Sequence, residues 1–326
     1  MQVYPWQKKE WDQLVNQENN GRLPHAVLLT GPKGLGKKDF AMAFAHRILC
    51  EDKEKKPCGH CRGCRFFGNG THPDFFLIEP EVDSKSIRVE PIRELVDQLN
   101  QTSQRNGYQV VVISPVENMN RAAANAFLKT LEEPQGNVLM ILVCHQIGKL
   151  LPTIRSRCQR ISFSCRSSEA AEKWLAESIS DKEKAKRLLK VAHFAPLQAM
   201  EYDRQNYLAT REMIFANLLS IVQQQANPIP IVSRWMKENI DDVLNVIASV
   251  LDDLIRLHLG VDSSYLVNQD FLPQLQAINP AFSKRTLLAL SSTCQEVCRL
   301  NKEPIAINQA LLLEAFVLDW KVDHAH

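Results

Sequence analysis

Three short runs of the chain are apolar at all or nearly all positions: Ala26–Thr30 (AVLLT), Gln109–Ser114 (QVVVIS) and Val138–Cys144 (VLMILVC). Continuous apolar runs of this length, without polar alternation, predict strands buried on both faces. Helix-forming stretches separate them. Lys37–Leu49 follows the first run across a glycine-rich turn, and the Ala-rich Asn120–Leu131 closes on Glu132-Glu133-Pro134. Strands alternating with helices in this way predict an α/β parallel sheet covered on both sides. After about Phe163 the pattern changes. Ser167–Lys190 is charged and helical, and from Tyr207 onward amphipathic periodicity dominates, as in Val243–Leu259 and Ala306–Trp320. The second half is therefore expected to be all-helical, interrupted near Pro228 and Pro230.

Composition narrows the function. At 326 residues, with 45% hydrophobic and 23% charged side chains, the chain is long enough for two or three units and excludes collagen-like, disordered and disulfide-scaffold classes. Net charge is only +2. A protein gripping DNA over its whole surface needs a larger excess of Lys and Arg to displace counterions. Residues 1–165 carry 22 basic and 17 acidic side chains (+5), and 166–326 carry 17 and 20 (−3), so phosphate chemistry belongs to the first half. No run of 18 apolar residues and no basic-then-apolar leader is present, so the expectation is a cytoplasmic protein with no membrane partner.

Gly31-Pro32-Lys33-Gly34-Leu35-Gly36-Lys37-Lys38 has the G-x-x-x-x-G-K spacing of a phosphate-binding loop between a strand and a helix. Gly31, Gly36 and Lys37 are its candidate nucleotide contacts. Lys38, however, stands where a Ser or Thr hydroxyl would hold Mg²⁺, and an ammonium repels that ion. The strand Val110–Ile113 ends on Ser114-Pro115, where an Asp and a Glu would be needed to hold metal and polarise water. No Mg²⁺ site is expected. Three readings stay open: a working ATPase, a site that holds nucleotide without turning it over, and a loop retained for its fold, the last being favoured.

Nine cysteines are present, four of them within fifteen residues: Cys50, Cys58, Cys61 and Cys64. In a reducing compartment such density points to metal, and four thiolates satisfy a closed, structural, tetrahedral Zn²⁺ site. A redox Cys-x-x-Cys pair is the alternative. His60 is expected at the surface, and Cys144, Cys158, Cys165, Cys294 and Cys298 as small hydrophobic side chains. The basic Lys53, Lys55, Lys56, Arg62 and Arg65 near the cluster raise a zinc-bearing nucleic-acid module as a competing reading, but Glu51, Asp52 and Glu54 interleave with them.

Thr71-His72-Pro73-Asp74, the run Ala124–Pro134 (ANAFLKTLEEP) and Ser156-Arg157-Cys158 resemble signatures of the bacterial clamp-loader AAA+ ATPases, as does the cysteine insertion after the loop helix. The resemblance covers about residues 20–165 by motif, and the rest by size and helical content. It implies a RecA-like AAA+ domain over 1–164 carrying the zinc module at 50–64, a small helical lid over 165–205, and a helical collar over 206–326 that assembles a five-subunit ring. The implied partners are the gamma/tau ATPase subunits, a clamp-opening delta subunit, the sliding clamp and, through the complex, primer–template DNA. Arg157 matches the arginine that such a subunit offers to its neighbour's ATP, with Arg155 close by. Leu197 stands where a lid normally carries a sensing Arg, and Cys144-His145 where a polar sensor ends the fourth strand. Those departures imply a subunit that does not hydrolyse ATP itself, the alternative being an active gamma/tau-like ATPase. Lys129, Glu132 and Glu133 match a family stretch and could serve an interface or end a helix.

Overall fold

The computed structural model describes all residues except 1, 53, 82, 83, 85, 101, 102, 104–106, 165–168, 302–307 and 321–326. Lys53, Cys165 and the first residues of the helices expected at Ser167 and Ala306 lie outside the described residues. The chain divides into two units, residues 1–199 and 200–326.

In chain order the first unit contains α1 (Lys8–Asn19), β1 (Ala26–Thr30), α2 (Lys37–Ile48), α3 (Arg62–Gly68), β2 (Phe75–Ile78), α4 (Val89–Leu99), β3 (Gln109–Ile113), α5 (Arg121–Glu132), β4 (Val138–Cys144), α6 (Pro152–Arg155), β5 (Gln159–Ser162), α7 (Glu169–Ser178) and α8 (Lys182–Val191). The division between the units falls within α9 (Pro196–Arg204). All five strands are parallel, in the order β2-β3-β4-β1-β5. Leu28 of β1 pairs with Leu142 of β4, and Val111 of β3 with Met140.

Alternate side chains of the three central strands enter opposite layers, which is why their sequences are apolar throughout. One layer joins Val27, Leu29, Val112 and Ile141 to Phe40 and Phe44 of α2 and to Leu14 of α1. The other joins Leu28, Val111, Met140 and Leu142 to Ile92 and Leu95 of α4 and to Phe127 and Leu131 of α5. Each such side chain gains about 1.5–3 kcal/mol on burial, which fixes the sheet and with it the loops at its strand ends. The expected α/β sheet is thus present, with β2, β5, α1, α3, α4 and α6 added to the elements the apolar pattern gives.

The stretch expected to be helical at Ser167–Lys190 holds two helices, α7 and α8, because the Asp181 carboxylate accepts from the Glu183 and Lys184 amides and starts α8 afresh. The second unit holds α10 (Tyr207–Val222), α11 (Pro228–Trp235), α12 (Ile240–His258), α13 (Leu272–Ile278), α14 (Lys284–Leu300) and α15 (Gln309–Leu318), with no strand among its described residues. Pro228 opens α11, where its missing N–H costs nothing, and Pro230 sits in that first turn. Trp235, Trp320, Phe215 and Phe316 fill its core, and the buried Arg211 is held by Asp270 and Asn268. No helix among the described residues is long and apolar enough to cross a membrane.

Candidate functional site

The glycine loop leaves the end of β1 with Gly34 and Gly36 at φ +84° and +74°, a region open to glycine and strained for other residues. Lys37 opens α2 but does not reach outward. Its side chain is 2% exposed, and Nζ donates to the Gly31 and Pro32 carbonyls, both at 2.6 Å. Burial lowers its pKa to about 8, against the opposing pull of Glu117. The candidate phosphate cation is bound here to carbonyls of its own loop.

Two other segments close over that loop. Trp6 Nε1 and Gln7 Nε2 donate to the Leu35 carbonyl at 3.1 and 2.8 Å, and the Tyr4 ring lies so near Gly36 that a Cβ there would come within 2.5 Å of it. Tyr4 and Trp6 stack at 4.8 Å, with Trp174 edge-on to both. From the other side the Leu197 amide donates to the Gly34 carbonyl at 3.0 Å, and a Cβ on Gly34 would stand 2.6 Å from that of Gln198. Leu197, at the sensing-Arg position, packs instead against the first core layer.

The metal-binding positions are occupied otherwise as well. Lys38 turns to an exposed ion pair with Glu79 at 2.6 Å. Ser114 is buried beside Pro115, and the nearest carboxylate downstream, Glu117, escaped the sequence reading. Its Oε1 accepts from the His145 and Gln146 amides at 2.8 and 2.9 Å, tying the segment after β3 to the end of β4. Burial and the charges of Lys37 and Lys33 hold the His145 pKa down to about 4, against the pull of Glu117, and burial with Glu117 pushes the Cys144 thiol up to about 12. Only a partner search beyond the Ser114-Pro115 position would have found Glu117, because its contacts lie 28 residues away.

The structure brings Cys50, Cys58, Cys61 and Cys64 together, with all four sulfurs within 4.8 Å of one another. Cys50 Sγ lies 4.0 Å from Cys61 Sγ, and Cys58 Sγ 3.9 Å from Cys64 Sγ. A tetrahedron with Zn–S bonds of ~2.3 Å has edges of about 3.8 Å, so the donor set fits such an ion in kind, number and spacing. Backbone amides serve the sulfurs in relay: Cys58 N to Cys50, Cys61 N to Cys58 and Cys64 N to Cys61, at 3.4, 3.4 and 3.3 Å. Such donors favour the thiolate form a metal requires. Glu18 of α1 anchors the loop by accepting from Arg47 at 2.6 Å and Lys56 at 2.9 Å. Exposed His60 turns its Nδ1 to the Cys58 carbonyl, although Asp52, Cys58 and His60 form a second donor group. The cluster can hold a metal ion.

Arg157 follows α6, half-exposed beside the exposed Arg155. Its Nε donates to Glu132 Oε1 at 2.6 Å, its Nη2 pairs with the same oxygen, and its Nη1 donates to the Thr153 carbonyl at 2.8 Å. Glu132 is the last residue of α5, and the Glu133 amide returns to the Lys129 carbonyl to end that helix. His72 and Asp74 are buried and form a turn, with the Asp74 amide donating to His72 Nδ1 at 3.1 Å.

A family model described as "DNA polymerase III, delta subunit" matches residues 6–167, and one for the C-terminal part of that subunit matches 205–322. The DNA polymerase III subunit delta′ of Pseudomonas aeruginosa is 32% identical over 321 residues, covering 98% of this chain and 97% of that protein. The subunit delta′ of Yersinia pestis is 32% identical over 332 residues, covering 98% and 96%. That of Escherichia coli is 27% identical over 329 residues, covering 99% and 96%. With one-third of positions shared along almost the full length, the chain belongs to the DNA polymerase III delta-prime subunit family of clamp-loader proteins.

Proposed function

We propose that the chain is the fixed, non-hydrolysing member of a clamp-loader ring, lending Arg157 to a neighbouring subunit's ATP. One observation carries this reading: the would-be phosphate cation Lys37 is bound to the loop's own carbonyls beneath Tyr4, Trp6, Gln7 and Leu197, while Arg157 keeps part of its guanidinium at the surface. A lysine bound to its own loop's carbonyls is not offered as the cation that holds a β- or γ-phosphate. A guanidinium offered in trans stabilises charge on the transferring phosphoryl group, worth about 10³–10⁵ in rate in other NTPases.

In this reading residues 1–164 form the AAA+ domain, 165–205 the lid and 206–326 the collar that meets other subunits. The partners are the gamma/tau ATPase and delta subunits, and through them the sliding clamp and primer–template DNA. Cys50, Cys58, Cys61 and Cys64 hold a structural Zn²⁺, which supplies the folding free energy that the polar 50–64 segment cannot obtain from a core.

Incubating the purified chain alone with Mg²⁺ and ATP tests the passive half of the proposal. No turnover is expected. Turnover that disappears in Lys37→Ala would replace it with an active gamma/tau-like ATPase.

A further inference from the structure

We propose that Glu132 is a positioning residue for Arg157, holding one edge of the guanidinium so that the other is presented ready-aimed to a phosphate on the neighbouring subunit. The proposal rests on the trans-arginine reading above and goes beyond it by assigning a role to the carboxylate.

The geometry is that of an anchored side chain. Within this chain Nε and one hydrogen of Nη2 are engaged by Glu132 Oε1, and Nη1 donates to the Thr153 carbonyl at 2.8 Å and to Ser156 Oγ at 3.4 Å. The bond to Ser156 is the longest of these, and an incoming phosphate oxygen can replace it at Nη1 while a second meets the remaining hydrogen of Nη2. Side-by-side donors of this kind match two phosphate oxygens. The anchors come from two separate elements, the end of α5 and the body of α6, so the direction of the guanidinium is fixed by the packing of those helices. An unanchored arginine would have to be ordered when the phosphate arrived.

The placement of Glu132 points the same way. A carboxylate in the last turn of a helix faces the negative end of the helix dipole, where Lys or Arg is favoured. Here two carboxylates, Glu132 and Glu133, end α5. Helix termination does not need that arrangement, whereas gripping Arg157 does. Glu132 is itself half-exposed, so the pair contributes little to stability through its charge alone. Its consequence is orientation.

The test uses the full-length chain assembled with its ATPase and delta subunits, the clamp and primer–template DNA. Steady-state kcat and KM for ATP are measured for wild type, Arg157→Ala, Glu132→Gln and the double variant. The reading expects Glu132→Gln to lower the Arg157-dependent part of kcat on the order of ten-fold, within the roughly 10²-fold that a 1 Å misplacement can cost. KM and the amount of complex recovered should stay unchanged. In the double variant, Glu132→Gln should add nothing to Arg157→Ala. If Arg157→Ala is slow but Glu132→Gln equals or exceeds wild type, the positioning role is wrong and the trans arginine stands. An equal further loss in the Arg157→Ala background would assign Glu132 to folding or assembly and overturn the proposal. An unaffected Arg157→Ala complex would remove the trans arginine itself.

Discussion

Gly36 shows how closely single residues are constrained where β1 meets α2. Its φ of +74° and the Tyr4 ring leave no room for a methyl group, so Gly36→Ala should destabilise the first unit by about 1–3 kcal/mol, read as a lower denaturant midpoint at unchanged slope. An unchanged midpoint would mean that Tyr4 does not press on the loop. His145 makes a second prediction. Folding depresses its pKa to about 4, so between about pH 6.5 and 4 the unfolded chain binds the extra proton. The protein should lose stability as pH falls through that window, and His145→Gln should flatten this part of the profile; parallel profiles would place the titration elsewhere. At this scale the sequence was partly legible. Lys38, Ser114 and Pro115 show by residue type alone that the side chains expected to ligate Mg²⁺ are replaced. The capture of Lys37 by two carbonyls and the role of Glu117 depend on groups far along the chain, which spacing does not encode.

Among the elements, β1, β3, β4 and α5 could be read directly, since burial on both faces makes a strand apolar throughout and Asn120 caps α5 through the Ala123 amide. The edge strands were not. β5 (QRIS) pairs only with β1 and alternates exposed with buried positions, and the four residues of β2 are too few to establish a period. In α1 a largely polar sequence fully buries only Leu14, while Trp11 packs edge-on against Phe40 and Phe44 and Glu18 pairs with Arg47 and Lys56. The cysteine spacing between Cys50 and Cys64, by contrast, identified its cluster completely, because four thiolates have few other uses at that density. Protein purified without added zinc should contain about one zinc per chain. A strong chelator should remove it and raise hydrogen exchange across 50–64 while β1, β3 and β4 stay protected. A metal-free loop that is equally protected would contradict the structural role.

For the whole molecule, near-neutral charge suits a subunit that works through protein neighbours, with a slightly basic first half and a slightly acidic helical second half. Isolated chain should bind primer–template DNA weakly at physiological salt; tight, steeply salt-dependent binding would favour the nucleic-acid-module reading instead. In the proposed function, labour is divided between a glycine loop whose lysine is bound to its own carbonyls and an arginine kept at the surface. The most direct test is ATP hydrolysis by the assembled, DNA-stimulated complex containing Arg157→Ala. Assembly at wild-type yield is expected, together with loss of the hydrolysis contributed by the site that Arg157 completes, at least about 10³-fold at that site. A fully assembled Arg157→Ala complex that hydrolyses ATP at the wild-type rate would contradict the trans role of this chain.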